Sequence, residues 1–149
     1  LAQDDDRLPL AILFAAGAEE RDGIATEPPV DVEARAASWR LDGVFVAVAG
    51  GESVGSLHLE PSRHGFCEIG MAVAREWRGR GVGSALIASA IEWAREHRVH
   101  KLSLGVFPHN AAAIALYRKF GFVEEGRRTK HFRRESGELW DVLEMGLLL

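Results

Sequence analysis

Apolar and polar positions along the chain change their period several times, and each change marks an element. Leu8 to Glu20 is apolar at helical density and predicts a first helix, while Asp31 is placed to cap a second that runs to about Trp39 after the punctuation of Pro28 and Pro29. Between them Arg21 to Val30 reads as a loop. Val44 to Ala49 and Val54 to Leu59 predict a hairpin turned by Gly50-Gly51-Glu52-Ser53, with a third strand from Phe66 to Ala74. Val82, Leu86, Ala90, Trp93 and Ala94 then recur at helical spacing, which predicts a helix from Val82 to Arg98. Leu102, Leu104 and Val106 alternate in a strand stopped by Pro108. Asn110 to Phe120 predicts a short helix closed by Gly121, and Val123 to Arg133 and Leu139 to Leu148 two last strands turned at Glu135-Ser136-Gly137. The order α, α, β, β, β, α, β, α, β, β implies an α/β (α+β) architecture: a mixed sheet covered by helices.

Composition narrows the setting. With 149 residues and 47% hydrophobic content, the chain has the size of one domain, residues 1–149, whose core needs no disulfide or metal. A formal net charge of -4 argues against generic nucleic-acid binding. The apolar run from Leu8 to Ala18 is shorter than the roughly 20 residues that span a bilayer, and Asp4, Asp5 and Asp6 before it carry the wrong sign for a signal peptide. A soluble cytoplasmic protein with no membrane partner is expected, and Cys67, the lone cysteine, suits a reducing interior. The chain begins at Leu1, not methionine, so a first strand can lie upstream. The six histidines show no ligand spacing, and no metal is expected.

The chemistry concentrates at Arg78-Gly79-Arg80-Gly81-Val82-Gly83, where a strand-like run passes into a helix-like one. Glycines there let backbone N–H groups approach an anion, and the helix start adds its own unpaired N–H groups and positive dipole end. A Walker A loop needs a lysine that is absent. A dinucleotide fingerprint needs G-x-G-x-x-G with a later carboxylate, and Lys101 to Phe107 contains none. The pattern R/Q-x-x-G-x-G/A is met by Arg78, Gly81 and Gly83. Glycine-rich turns of this kind also occur without ligands, so from the loop alone both readings stand. Alternation places Glu68 on one strand face with Gly70, Ala72 and Ala74, opposite Cys67, Ile69, Met71 and Val73.

The stretch EIGMAVAREWRGRGVGSALI at residues 68–87, followed by NAAAIALYRKFGF at residues 110–122, resembles the GNAT superfamily of acyl-CoA-dependent N-acyltransferases. The resemblance is good from about Val44 onward and weak over the first forty residues. It implies a GNAT fold, with a mixed central sheet whose central strands splay and helices on both faces. It also implies acetyl-CoA as co-substrate, its pyrophosphate on the backbone of Arg78, Gly79, Arg80, Gly81, Val82, Gly83 and Ser84, and its pantetheine arm on backbone at Ala72, Val73 and Ala74. Asn110 is then a contact to the CoA arm, Glu68 the general base and Tyr117, seven residues after Asn110, the general acid. Direct transfer to a primary amine is the expected reaction, which leaves Cys67 no nucleophilic role. DGIATEPP at 22–29 and GELWD at 137–141 resemble the acceptor side of members that acetylate amino-acid-like small molecules, phosphinothricin-type enzymes among them. Members acting on protein N-termini, on lysines or on polyamines share the CoA machinery, as would a non-catalytic acyl-CoA sensor. A homodimer through the late strands is a further implication, while the basic run Arg127 to Arg134 suits either an acidic acceptor or a solvated sheet edge.

Overall fold

The computed structural model describes residues 1–149 and preserves the expected order of elements. Helices α1 (Arg7–Glu19) and α2 (Val32–Ser38) are followed by strands β1 (Val44–Ala49), β2 (Glu52–Pro61) and β3 (Phe66–Val73). Helix α3 (Val82–Glu96), strand β4 (Lys101–Val106), helix α4 (Ala111–Lys119) and strands β5 (Val123–Arg133) and β6 (Leu139–Leu148) complete the chain. The six strands form one mixed sheet in the order β1-β2-β3-β4-β6-β5. β3 runs parallel to β4, while the β1–β2, β4–β6 and β5–β6 pairs are antiparallel.

Two compact segment groups make up the chain. The first comprises Leu1–Glu60 with Gly70–Ala90. In it Pro9 sits in the first turn of α1, where its missing N–H costs nothing, and α1 buries Leu10, Ala11, Leu13 and Ala18. Asp31 caps α2 as expected, accepting from the Ala34 N–H at 2.9 Å. The β1–β2 hairpin turns more tightly than the sequence suggested. Ala49 faces Glu52, so only Gly50 and Gly51 span the turn, both at positive φ (60° and 84°), the geometry of a type I′ turn. Val54, Leu57 and Leu59 of β2, Val44 of β1 and Leu86, Ile87 and Ala90 of α3 are among the buried residues of this group.

The second group comprises Pro61–Ile69 with Ile91–Leu149. Its buried residues include Cys67 and Ile69 of β3, Leu102, Leu104 and Val106 of β4, and Val142, Leu143 and Met145 of β6. Helix α3 stops at Glu96, two residues earlier than its periodicity suggests, because Arg98 takes the left-handed conformation (φ 57°). The Val99 N–H then returns to the Ala94 carbonyl at 2.9 Å, closing the last turn around a non-glycine residue. β5 lies at the sheet edge and is exposed along nearly its whole length. One of its cations is paired to Asp141 of β6: Arg127 Nε lies 2.6 Å from Asp141 Oδ2, and Asp141 Oδ1 accepts the backbone N–H of Lys130 at 2.7 Å. Those two hydrogen bonds, the backbone one first, hold the Asp141 carboxyl below its ordinary pKa.

Candidate functional site

After β3 a single 3-10 turn, Arg75–Trp77, leads into the glycine loop. Gly79 and Gly81 take positive φ (69° and 88°), and nothing lies within 4 Å of where a Cβ would stand on either. A side chain would be strained there by backbone conformation, not by crowding. The two arginines of the loop turn away from its backbone and brace it. Arg78 grips Glu20 with both terminal nitrogens, at 2.7 and 2.8 Å, and donates from Nε to the Val73 carbonyl at 3.0 Å. The Arg80 guanidinium carbon sits 4.1 Å from the Trp77 ring centre.

The backbone of the helix start is what remains available. Ala85 donates to the Gly81 carbonyl at 3.0 Å, the first closure of α3. The N–H groups of Val82, Gly83 and Ser84 therefore precede any intrahelical acceptor, and they gather at the positive end of a helix of 15 residues. Three such donors beside two uncrowded glycines form a receptor for an anion without any charged side chain. This geometry fits a pyrophosphate, so the residues present suit the group that the sequence implies.

Backbone direction along β3 separates the three positions expected to meet the pantetheine arm. The Ala74 N–H bonds the Val54 carbonyl of β2 at 2.9 Å, so Ala74, and with it Ala72 by strand alternation, turns its backbone toward β2. Val73 turns the other way. Its carbonyl accepts from Arg78, which leaves its N–H as the donor on that edge. The pairing of β3 with β4 runs only from Phe66↔Lys101 to Glu68↔Ser103.

Glu68 is exposed between Cys67 and Ile69, both buried, so its carboxylate points away from the core. Cys67 is fully buried. Two residues on, Gly70 shares the Glu68 face of the strand. A Cβ on Gly70 would lie 2.1 Å from His58 Cε1, so glycine is what lets the imidazole come close to the strand. Part of His58 still meets solvent. Its surroundings nevertheless hold the imidazole below its ordinary pKa: desolvation acts most strongly, Glu60 opposes it, and Arg35 adds to the lowering.

Asn110 and Tyr117 have distinct structural settings. Asn110 is the N-cap of α4 with non-helical dihedrals (φ -81°, ψ 69°), and its Oδ1 accepts the Ala113 N–H at 3.2 Å. It is therefore just outside the helix that the sequence had it opening. Tyr117 is 7% exposed, and burial pushes its hydroxyl up to about 12. The YRKFGF run explains how the ring is held. Gly121 takes φ 93°, the Phe122 N–H returns to the Tyr117 carbonyl at 3.1 Å, and the Gly121 N–H to that of Arg118 at 3.0 Å. This is a Schellman closure, and its usual apolar contact is the Tyr117–Phe122 ring pair, 5.6 Å between centres.

Two aromatic groupings were not legible as such. Phe107 touches Phe132, Trp140 and His109, with ring centres 5.0 to 5.8 Å apart, and the buried Arg134 lies over Trp140. The other grouping places the Arg35 guanidinium against both Phe14 and Trp39, whose rings meet edge to face. Only the i, i+4 spacing of Arg35 and Trp39 hinted at it.

Comparison with known proteins follows the same lines. The sequence profile described as the acetyltransferase (GNAT) family matches residues 14–122. The L-amino acid N-acetyltransferase AaaT of Escherichia coli is 38% identical over 106 residues, covering 68% of this chain and 65% of that protein, just under two thirds of its length. A solved ribosomal-protein-alanine N-acetyltransferase from Brucella melitensis superposes with a TM-score of 0.88 at 34% identity, covering 99% of this chain and 97% of that one. The structure of yncA from Salmonella typhimurium with its cofactor acetyl-CoA shares the fold, with a TM-score of 0.87 at 22% identity over 99% of this chain and 91% of that one.

Proposed function

This chain belongs to the acetyltransferase (GNAT) family, and on that premise we propose that it transfers an acetyl group from acetyl-CoA to a primary amine of a small, amino-acid-like molecule. The observation that carries the reading is the helix start at Val82, Gly83 and Ser84, with three backbone donors ahead of any intrahelical acceptor and two open glycines before it. The pyrophosphate is held by the backbone of residues 78–84. The Val73 N–H is the strand donor for the pantetheine arm, and the Asn110 amide nitrogen, opposite the capping oxygen, is a further donor to it. Acetyl-CoA, when bound, supplies the thioester carbonyl that an amine attacks.

The chain's own residues manage the protons. An amine with a lysine-like pKa of about 10.4 is mostly protonated at neutral pH, and the exposed Glu68 carboxylate takes that proton, directly or through water. Tyr117 keeps its own proton at Oη at any physiological pH, since burial holds the hydroxyl at about 12. The gap to a thiol of about 8.5 is roughly 3.5 pH units, or about 5 kcal/mol, so full proton loss from Tyr117 runs uphill. Its contribution is therefore chiefly hydrogen-bond donation to the developing negative charge. The L-amino acid acceptor named for the Escherichia coli relative supports the small-molecule reading.

A second reading, the N-terminal alanine of a protein, is favoured by the likeness to the Brucella melitensis enzyme. One experiment separates them. Acetyl-CoA is incubated with an L-amino acid set, a polyamine and an alanine-initiated peptide, and free thiol is followed. Amine-dependent thiol release is expected, strongest with amino acids, and Glu68→Gln should slow it about a hundredfold or more without weakening acetyl-CoA binding. Binding of acetyl-CoA with no release on any amine would leave a non-catalytic acyl-CoA sensor.

A further inference from the structure

Strand alternation in the second segment group divides its part of the sheet into two faces. Cys67 and Ile69 of β3, Leu102 and Leu104 of β4 and Met145 of β6 are buried on one of them. The strand register places Glu68 beside Ser103, Ser103 beside Gly146 and Gly105 beside Glu144, so these residues share the other face. There Glu68 and Gly105 are exposed and Ser103 is half-buried.

Other polar groups of that face are already engaged within the protein. Lys101 Nζ lies 2.7 Å from Glu125 Oε2, and the Glu125 carboxyl covers Gly146, 2.7 Å from where a Cβ would stand. Glu144 Oε1 lies 2.5 Å from Arg128 Nε. The Glu68 carboxylate and the Ser103 hydroxyl have no such internal partner, and they are neighbours at the last rung of the β3–β4 ladder. Same-face neighbours on adjacent strands start about 4.8 Å apart at the backbone. Two hydrogen-bond acceptors, each about 2.9 Å from one tetrahedral nitrogen, stand about 4.7 Å from each other. The spacing of the pair thus suits two N–H bonds of one ammonium group, one met by a carboxylate and the other by a hydroxyl oxygen.

We propose that Ser103 Oγ accepts an N–H of the acceptor amine while Glu68 takes the proton, so that Ser103 is a second contact to the nucleophilic nitrogen. The inference rests on the acetyltransfer reading with Glu68 as base and deepens it by naming that contact. One amine proton passes to Glu68, the nitrogen lone pair so freed forms the N–C bond, the C–S bond breaks, and CoA leaves as a thiolate. Ser103 forms no covalent bond and keeps its own proton. A hydrogen bond made before and during the attack favours bound substrate and transition state alike. Its loss therefore raises KM and leaves kcat nearly unchanged, whereas loss of the base lowers kcat.

The test compares Ser103→Thr with Ser103→Val, two side chains of one shape that differ by the hydroxyl and both suit a strand. Thiol release is followed at saturating acetyl-CoA, with the amine that the parent acetylates fastest as the varied substrate. Ser103→Val should raise the KM for that amine about tenfold, as loss of a hydrogen bond to a charged group warrants, and Ser103→Thr about twofold or less. Ser103→Ala, which adds no bulk, should repeat the valine result. Glu68→Gln should lower kcat instead. The KM for acetyl-CoA and the unfolding midpoint should be the same in all of them. Calorimetry with CoA present and L-alanine as the probe reads binding without turnover and should give the same ratio between the valine and threonine variants. Equal amine KM in those two variants, or an equal rise in the KM for acetyl-CoA, overturns the proposal and leaves acetyltransfer standing. Absence of transfer by the parent to every amine refutes the acetyltransfer reading, and equal calorimetric affinities of the two variants then overturn the role of Ser103 separately.

Discussion

Replacing Tyr117 with phenylalanine tests the buried hydroxyl most directly, because it is the only tyrosine in the chain. The phenol ordinarily ionises near 10.0, and burial pushes it up to about 12 in the folded protein. A raised folded value means that the stabilisation is fully present below pH 10 and is lost as pH rises toward 12. At pH 11 the linkage amounts to about 1.4 kcal/mol, with a ceiling near 2.7 kcal/mol above both values. Every other titratable group is common to the parent and Tyr117→Phe and cancels in the comparison. Phenolate absorption in the near ultraviolet, followed in native buffer and in denaturant, should give two midpoints about 2 pH units apart. Urea unfolding should show the parent losing about 1.4 kcal/mol more than Tyr117→Phe between pH 8 and pH 11. At neutral pH the variant should be stable to within about 1 kcal/mol but about a hundredfold slower in transfer. A native midpoint near that of the denatured chain, or equal alkaline losses, would refute the burial argument and with it the case for a proton held at Oη.

Gly70→Ala places a methyl 2.1 Å from His58 Cε1 and 2.6 Å from Nε2, so the imidazole must swing away. A loss of about 1 to 3 kcal/mol is expected from overpacking, and His58→Ala on the Gly70→Ala background should recover most of it; additive losses in a double-mutant cycle would show that the ring is not the obstacle. Asn110→Ala removes the cap of α4 and should cost about 1 kcal/mol in thermal or urea unfolding, with Asn110→Ser restoring stability but not the contact of an amide nitrogen. Equal stability of the Ala and Ser variants would mean that the cap contributes nothing.

Much of the fold was legible because its determinants lie within a few residues of one another. Strands β1, β5 and β6 begin and end where alternation predicts, and the capping role of Asp31 follows from its place before α2. The YRKFGF run encodes a helix stop, and its glycine at φ 93° ties Phe122 back to Tyr117, so a local rule positions a candidate catalytic ring. The glycine loop likewise carries its own conformation, since positive φ at Gly79 and Gly81 is a property of those residues.

What sequence alone determined was thus periodicity, turns, caps and the conformation of the glycine loop, all governed by short-range sterics and hydrogen bonding. Tertiary structure decided where the long side chains go. Arg78 reads as a cation of the glycine loop, yet its side chain is committed to Glu20, 58 positions away, and to the Val73 carbonyl. Arg35 reads as an ordinary helix charge, yet two rings from different elements lie against it. His58 reads as an ordinary polar strand position, yet the missing side chain of Gly70 gives it a seat. An arginine or histidine side chain reaches several ångströms in many directions, so its partner depends on which distant segments folding brings near, and no local pattern specifies that.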